Sequence, residues 1–546
     1  MYYGNVQVLA TANILSFRNL ARLNLKGTIV MIENEKIKKT GFLECLVGIY
    51  VILVGVGVPL IVRNYYFDIL IVKYYYYLFC SISLIVILAI YSITKGKREI
   101  IFYTYKHSLR QISKELSLTD YFALSYLGVA IISTITSDYV YESFWGNEGR
   151  YTGLFLMIFY VSSYFIVSKL LNFKKIYIDA ILVTGIVVCL FGITDYFQLD
   201  LFHFKASMIE NQKSIFTSTI GNINTYTAYV GIIVAISAVL FASNINKKYK
   251  AYYFACMFIG FFAIIMGASD NAYLSLAALF AFLPLYLFDN KKGIRNYLII
   301  IATFLTVIKC VGWINIFFNN KVIGIDSVFN YIVDFKGLLS VILSLWLIIS
   351  LWYLLDIRKK RGNRYYGNAL RFFWLGYLIV ITVILIIALF DANISGHALK
   401  YGKLGNYLVF NDEWGTHRGY IWRNAIECFN NLSLGKKLFG YGPETFGILL
   451  LRKTAHNPYN EVFDSAHNEY LHCLITVGIA GLAAYVLFIL SFVKNSLKRF
   501  KNPYIVAVVF GVICYSLQAF VNLNLPIVTP IFWLLISIGK AKENVS

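Results

Sequence analysis

The chain has 546 residues, 59% of them hydrophobic and only 14% charged, with a mean hydropathy of +0.66 and a formal net charge of +21. Soluble domains carry about 25% charged residues, so the composition excludes an ordinary soluble protein and points to an all-α polytopic membrane protein. The surplus of basic residues sits on the connections between apolar blocks, which argues for membrane orientation and against a nucleic-acid partner.

Residues 1–41 contain RNLARLNLKGTIVMIENEKIKK and lack an apolar core followed by a small-residue cleavage site, so they read as a cytoplasmic arm rather than a secretory signal. Apolar blocks long enough to cross ~30 Å of hydrocarbon follow. They predict spans at 42–62, 69–94, 118–136, 151–171, 178–197, 219–243, 251–267, 272–288, 297–318, 337–355 and 372–392, then at 473–493, 504–521 and 527–539. Lys73 and Lys309 fall inside two of these spans, where either snorkelling to an interface or span edges shifted by a few residues is expected. The eight cysteines form no CxxC pair and read as small packing residues rather than a disulfide or zinc framework.

Alternate connections are basic: KGKRE, LNFKK, NKKYK, NKKGIRN, DIRKKRGNRYYGNALR and KNSLKRFK. The positive-inside rule then puts both termini in the cytoplasm of a bacterial cell. The expected organisation is an arm (1–41), eleven spans (42–392), one large extracytoplasmic loop (393–472), and three spans with a short tail (473–546). Five of the seven histidines lie in that loop: His397, His417, His456, His467 and His472. Long connections in compact proteins usually carry function, so the chemistry is expected on the outer face.

Within the loop, THRGYIWRNAIECFNNLSLGKKLFGYGPETFG (416–447) and SAHNEYLHCLITVGIAGLAAY (465–485) stand out. An Arg-x-x-x-Trp helix, a Gly-x-Gly-x-x-x-Phe turn, and His-Asn-x-Tyr-Leu running into Gly-Ile-x-Gly-Leu together resemble the O-antigen ligase and polymerase superfamily. Weaker echoes lie in FWGNEGRYTGL, TIGNINTYTA and NLPIVTPIFWLL. The resemblance implies about twelve spans, against the fourteen read from hydropathy. It also implies an inverting glycosyltransferase that moves a glycan from a polyprenyl-pyrophosphate carrier to a glycan, lipid or protein acceptor, with no cofactor and no bound metal. Its functional pair maps onto Arg418 and His467. A further family arginine has no counterpart in MGASDNAYLSL, where Asp270 and Asn271 stand instead, and Arg150 is the expected substitute.

Such a transfer builds negative charge on a leaving pyrophosphate, which the planar donor fork of arginine meets better than a lysine ammonium does. It also needs a neutral base for the acceptor hydroxyl, which suits His467. We expect His467 in the first turn of a helix capped by Asp464 or Ser465 and running into the next span, with free N–H groups facing an anion. On that geometry His472 lies about 140° around the helix from His467 and belongs to a different site. His456 precedes Pro458 and reads as a loop residue or acceptor contact. Glu148, Arg150, Trp422, Asn468 and Tyr470 complete the expected substrate contacts. Trp145, Tyr151, Trp414, Tyr420 and Tyr459 suit either sugar stacking or an interfacial belt. A metal site of His456, Asp464 and His467 matches no ligand spacing of the HExxH kind. Gly440 and Gly442 predict a tight turn, with Pro443 opening a helix.

Two other functions fit parts of the pattern: a polymerase joining lipid-linked repeats, and a glycolipid transporter or flippase. A transporter calls for inverted repeats and ionisable groups near the midplane. The chain shows no such repeat, and its polar residues gather in one outer loop.

Overall fold

The computed structural model describes residues 41–94, 116–147, 149–244, 246–325, 328–358 and 364–542. The arm, the KGKRE connection, Glu148 and part of the DIRKKRG connection therefore lie outside the described residues. About 75% of the described residues are helical, and the described strand is confined to a hairpin of Phe216–Thr217 with Gly221–Asn222.

Among the described residues eleven helices are long and apolar enough to cross a membrane, and three shorter apolar helices accompany them. In chain order the helices used below are α1 (Gly41–Leu60), α2 (Ile69–Thr94), α3 (Leu118–Ile135), the short α4 (Val140–Trp145), α5 (Leu154–Leu170), α6 (Lys175–Tyr196), α7 (Ile223–Ser243), α8 (Lys247–Met266), α9 (Ala272–Leu287), α10 (Lys291–Phe317), α11 (Leu338–Arg358) and α12 (Ala369–Asn393). The large loop supplies α13 (Trp414–Asn430), α14 (Leu434–Phe439), α15 (Phe446–Thr454) and α16 (Glu469–Thr476). The chain closes with α17 (Gly478–Ser496), α18 (Pro503–Gln518) and α19 (Thr529–Lys540). Every predicted apolar block is helical.

The centre of the bundle is α7, whose apolar window is wholly buried. Its sequence INTYTAYVGIIVAISAVLFAS has no charged residue, so each face can be packed without stranding a charge. It packs on α6, α8, α9 and α18. By contrast, none of the α12 window and little of α11 is buried, so this pair lies against the outside of the bundle. All eight cysteines are unpaired, and five of them are buried among apolar neighbours.

One expectation fails near the start. Lys73 does not snorkel; it is buried, with Nζ donating to the carbonyls of Val58 (2.6 Å) and Pro59 (3.0 Å). Those carbonyls belong to the last turn of α1, which has no intrahelical donors left for them, so the lysine caps the helix end.

The large loop is a folded cap rather than an open connection. Ile421, Ala425, Tyr441, Phe446, Leu449, Leu450, Phe463, Ala466 and Ile475 form their own small apolar core beside the membrane bundle. If the sidedness read from the basic loops holds, a tag at residue 410 or 455 is labelled by an impermeant reagent in intact cells and one at 498 is not. Labelling at 498 alone would invert the orientation.

Candidate functional site

Arg418 opens the regular part of α13. Gly415, Thr416 and His417 before it have left-handed backbones, with φ of 61°, 60° and 64°. This twist turns the Arg418 side chain back on its own loop, where one Nη donates to the carbonyl of Gly415 (3.0 Å). Its Nε is buried without a partner among the described residues, a donor of the kind an anionic ligand satisfies. Burial disfavours the Arg418 charge, and the neighbouring Asp270 carboxylate supports it. The residue standing where the family pattern has a second arginine is thus a carboxylate facing the first one. Burial raises Asp270 above the usual carboxylate range, opposed by Tyr273, Tyr407 and Arg418.

His467 departs from the expected helical position. It has φ 46° and precedes the helix, and the N-cap is Asn468, whose Oδ1 accepts from the N–H groups of Tyr470 and Leu471 (both 3.0 Å). Asparagine competes well for this role because its short side chain reaches N2 and N3 at once. The N–H groups expected to face an anion are therefore already occupied. Ser465 instead accepts from the His467 N–H (3.2 Å), and Asp464 pairs elsewhere. Nor does α16 run into the span. Gly478, at φ 80°, breaks the chain direction between α16 and α17, and a side chain there would collide with the Leu438 carbonyl. The buried turn is held from two sides: Tyr441 and Gly442 of the loop donate to the carbonyls of Ile475 (2.9 Å) and Thr476 (3.0 Å), and Ser133 Oγ of α3 also donates to Thr476 (2.8 Å). Gly440 and Gly442 have positive φ, and a Cβ would meet the Thr476 carbonyl at Gly440 and the Ser143 and Ser137 hydroxyls at Gly442. Pro443 stays in the turn, and α15 begins only at Phe446.

The His467 ring has no hydrogen-bond partner among the described residues. Burial pushes it down from the ordinary 6.5 to about 4, and the charges of Arg418 and Arg150 push the same way, against Asp464. The ring is therefore neutral at physiological pH and able to accept a proton.

Arg150 reaches this point from the turn between α4 and α5. Its guanidinium grips Asp464 through Nε (3.1 Å) and Nη2 (2.5 Å), a two-point pairing that fixes the arginine's plane. Burial works to raise Asp464, but Arg150 holds it below the usual carboxylate range. Arg150 also lines a narrow cleft with Thr152, Glu444, Asn468, Glu469 and His472. Thr152 Oγ1 donates to Glu444, a buried residue with φ 59°. Burial pushes Glu444 up to about 7, with Arg150 opposing and Asp464 reinforcing. Glu469 is likewise pushed by burial to about 7, although Tyr485 (2.7 Å) and Tyr515 (3.3 Å) donate to it. His472 lies in the same cleft with its ring stacked on Phe446 at 5.1 Å, and burial lowers it to about 4. The helical angle expected to separate the two histidines does not apply, because His467 is outside the helix, and His467 is not among the residues that line this cleft.

The remaining expected contacts divide. Asn468 lines the cleft. Trp422 supports it from behind, with Nε1 donating to the carbonyl of Ala466 (2.8 Å), next to His467. Tyr470 turns away, its hydroxyl on the Ser516 carbonyl (2.7 Å) and its ring against Phe520 in an apolar groove between α17 and α18. His456 is exposed and does not line the cleft. Of the aromatic residues, Trp414 packs with Trp422 and Phe410, while Tyr459 stacks on His417 at 3.8 Å. Among the described residues no group of three or more His, Cys, Asp or Glu is placed to hold a metal ion.

Sequence reading did not single out Glu444, Glu469, His472 or Asn522 as site residues. Glu444 had only a turn signal in FGYGPETF; its burial comes from the α3–α5 segment folding over it, where Ser137 donates to the Tyr441 carbonyl (2.8 Å). Asn522, on the cleft wall, donates to the Asn224 carbonyl (3.1 Å), and the Asn224 Oδ1 accepts from Ser269 (2.6 Å) beside Asp270. Asn224 belongs to the TIGNINTYTA echo, and Asn522 lies just before the NLPIVTP echo, whose Asn524 also lines the cleft.

Residues 337–486 match the family model described as O-antigen ligase, a stretch that contains Arg418, Glu444, Asp464, His467, Glu469 and His472. This match supports the O-antigen ligase superfamily and a membrane glycan ligase or polymerase type of function. No curated protein matches the chain.

Proposed function

We propose that this member of the O-antigen ligase superfamily transfers a glycan from a polyprenyl-pyrophosphate carrier to a hydroxyl acceptor at the outer face of the cytoplasmic membrane, with inversion and without a metal. The observation that carries the reading is the unpartnered, neutral His467 ring flanked by two arginines, one of which has a vacant buried donor. In the proposed step the acceptor oxygen attacks the anomeric carbon from the side opposite the carrier. Its proton passes to His467 as the new C–O bond forms. The bond from the anomeric carbon to the pyrophosphate oxygen breaks, and the charge that collects on the leaving group is met by Arg418 and by the Arg150 Nη1 that Asp464 leaves open. Donors held in place before the charge develops stabilise the transition state more than the ground state.

The grouping of ionisable residues at one end of the bundle favours chemistry over transport, which places such groups near the midplane. Transfer from purified lipid-linked glycan by the reconstituted protein tests the reading. A second lipid-linked repeat supplied as acceptor separates polymerase from ligase, and loss of activity in a chelator would remove the metal-free mechanism.

The base assignment has a pH signature. The acceptor-limited rate stays level from neutrality downward and falls only as pH approaches about 4, where the imidazole takes a proton. An acid limb centred near 7 would instead give the role to Glu444 or Glu469.

A further inference from the structure

At the opposite end of the bundle from His467, the helix ends border an open cavity of about 830 Å³. Its basic lining residues are Lys247, Lys250, Lys292, Arg295, Arg371 and Lys501, contributed by α8, α10, the start of α12 and the α17–α18 turn. Only Asp289 lines it as a carboxylate, at 3.4 Å from Arg371, while Asp356 behind the wall is shared between Arg295 (3.1 Å) and Lys291. A positive-inside surplus on open loops needs no ligand, since water and salt screen it. Here part of the surplus is buried. Arg295 is only 11% exposed, and the Nε atoms of both Arg295 and Arg371 are buried without a partner among the described residues.

The cavity is built rather than incidental. Lys291 N–H donates to the Arg364 carbonyl (2.9 Å) and Tyr366 N–H to that of Asp289 (2.8 Å), closing the floor. Asn296 fixes Lys250 at 2.9 Å, and Tyr353 stacks under the Arg295 guanidinium at 4.0 Å. The N-terminal turns of α8 and α10 both open on the space and add their dipoles to the field. Exposed Tyr353 and Tyr365 stand at its rim, and the apolar outer surface of α11 leads away from it.

We propose that this cavity binds a phosphate-bearing anion of two or more negative charges, which ties α8 and α10 to the loosely packed α11–α12 pair. Guanidinium pairs and rim lysines are suited to phosphate oxygens, and two opposing carboxylates leave more positive charge than one phosphodiester balances. The same chemistry comes from two sources: a lipid with two phosphates in its headgroup, or a soluble diphosphate. The site is independent of the transfer reaction.

The test uses the full-length protein, delipidated in neutral detergent, with native mass spectrometry and thermal unfolding as readouts. Cardiolipin is expected to bind at least ~10-fold tighter than phosphatidylethanolamine and to raise the unfolding temperature, since each basic residue near a lipid phosphate contributes about a fivefold factor. Binding of cardiolipin without inorganic pyrophosphate assigns the site to a bilayer lipid; binding of pyrophosphate as well, or alone, assigns it to the phosphate itself. The Lys250→Gln/Arg371→Gln variant should lose at least ~10-fold in affinity, and Lys247→Gln/Lys501→Gln, confined to the exposed rim, about threefold or more. Equal binding of cardiolipin and phosphatidylethanolamine with no response to pyrophosphate overturns the proposal. So does anionic binding that both variants retain; should the wall variant fail to fold, the rim variant decides.

Discussion

Replacing His467 by asparagine should lower glycan transfer by roughly 10²–10⁴-fold, the contribution a positioned general base makes. Asparagine is the informative choice because it tolerates the left-handed backbone that His467 adopts at φ 46°, so the turn into α16 is kept while proton acceptance is lost. Alanine at 467 should be equally inactive and in addition less stable, since it gains nothing locally from that conformation. Alanine at His456 should keep most of the activity, because that side chain is exposed and does not line the cleft. The measurement is in vitro transfer, with membrane levels and unfolding profiles matched to wild type. An active His467→Asn protein would take the base role away from this residue, and an inactive His456→Ala protein would move it there.

Arg418→Lys should cost about 10²–10³-fold in rate, the usual effect of removing one preorganised donor to a developing anion. Lysine keeps the charge, so a merely electrostatic anchor at the membrane boundary would survive the change. What lysine lacks is the planar fork, which lets Arg418 spend one Nη on the Gly415 carbonyl while its buried Nε stays available for a ligand. The loss should fall on kcat more than on KM, because the interaction strengthens as charge builds on the leaving group. A variant with normal kcat and raised KM would make Arg418 a ground-state contact. Because Asp270 faces Arg418, Asp270→Asn provides a companion measurement: it removes the carboxylate that competes for the guanidinium and should not imitate the lysine variant.

Arg418 and His467 were recognisable because each stands in a short local pattern, Arg-x-x-x-Trp or His-Asn-x-Tyr-Leu, whose spacing survives in any fold, whereas Arg150 entered only as the substitute for an arginine missing from MGASDNAYLSL. The expected cap of α16 was misread for a local reason too. Asp464, Ser465 and Asn468 are all good N-caps, and the choice among them was made at a distance: Arg150, 314 positions away in sequence, takes Asp464, which leaves the helix to start at Glu469.

The apolar blocks by themselves determined that this is a helical membrane protein, roughly where each helix runs, and which connection is long enough to fold separately. Hydropathy is a property of neighbouring residues, and a bilayer rewards any stretch that satisfies its own backbone and presents apolar side chains, whatever the rest of the chain does. Only the tertiary structure decided that Glu444 and Glu469 are buried acids, that His472 lines the cleft with them, that Asp270 supports the Arg418 charge, and that Lys73 caps a helix instead of reaching for the interface. Each of these depends on what packs against a side chain from another helix. The burial and charge that set a residue's chemistry are therefore properties of the assembled bundle, and no window along the sequence contains them.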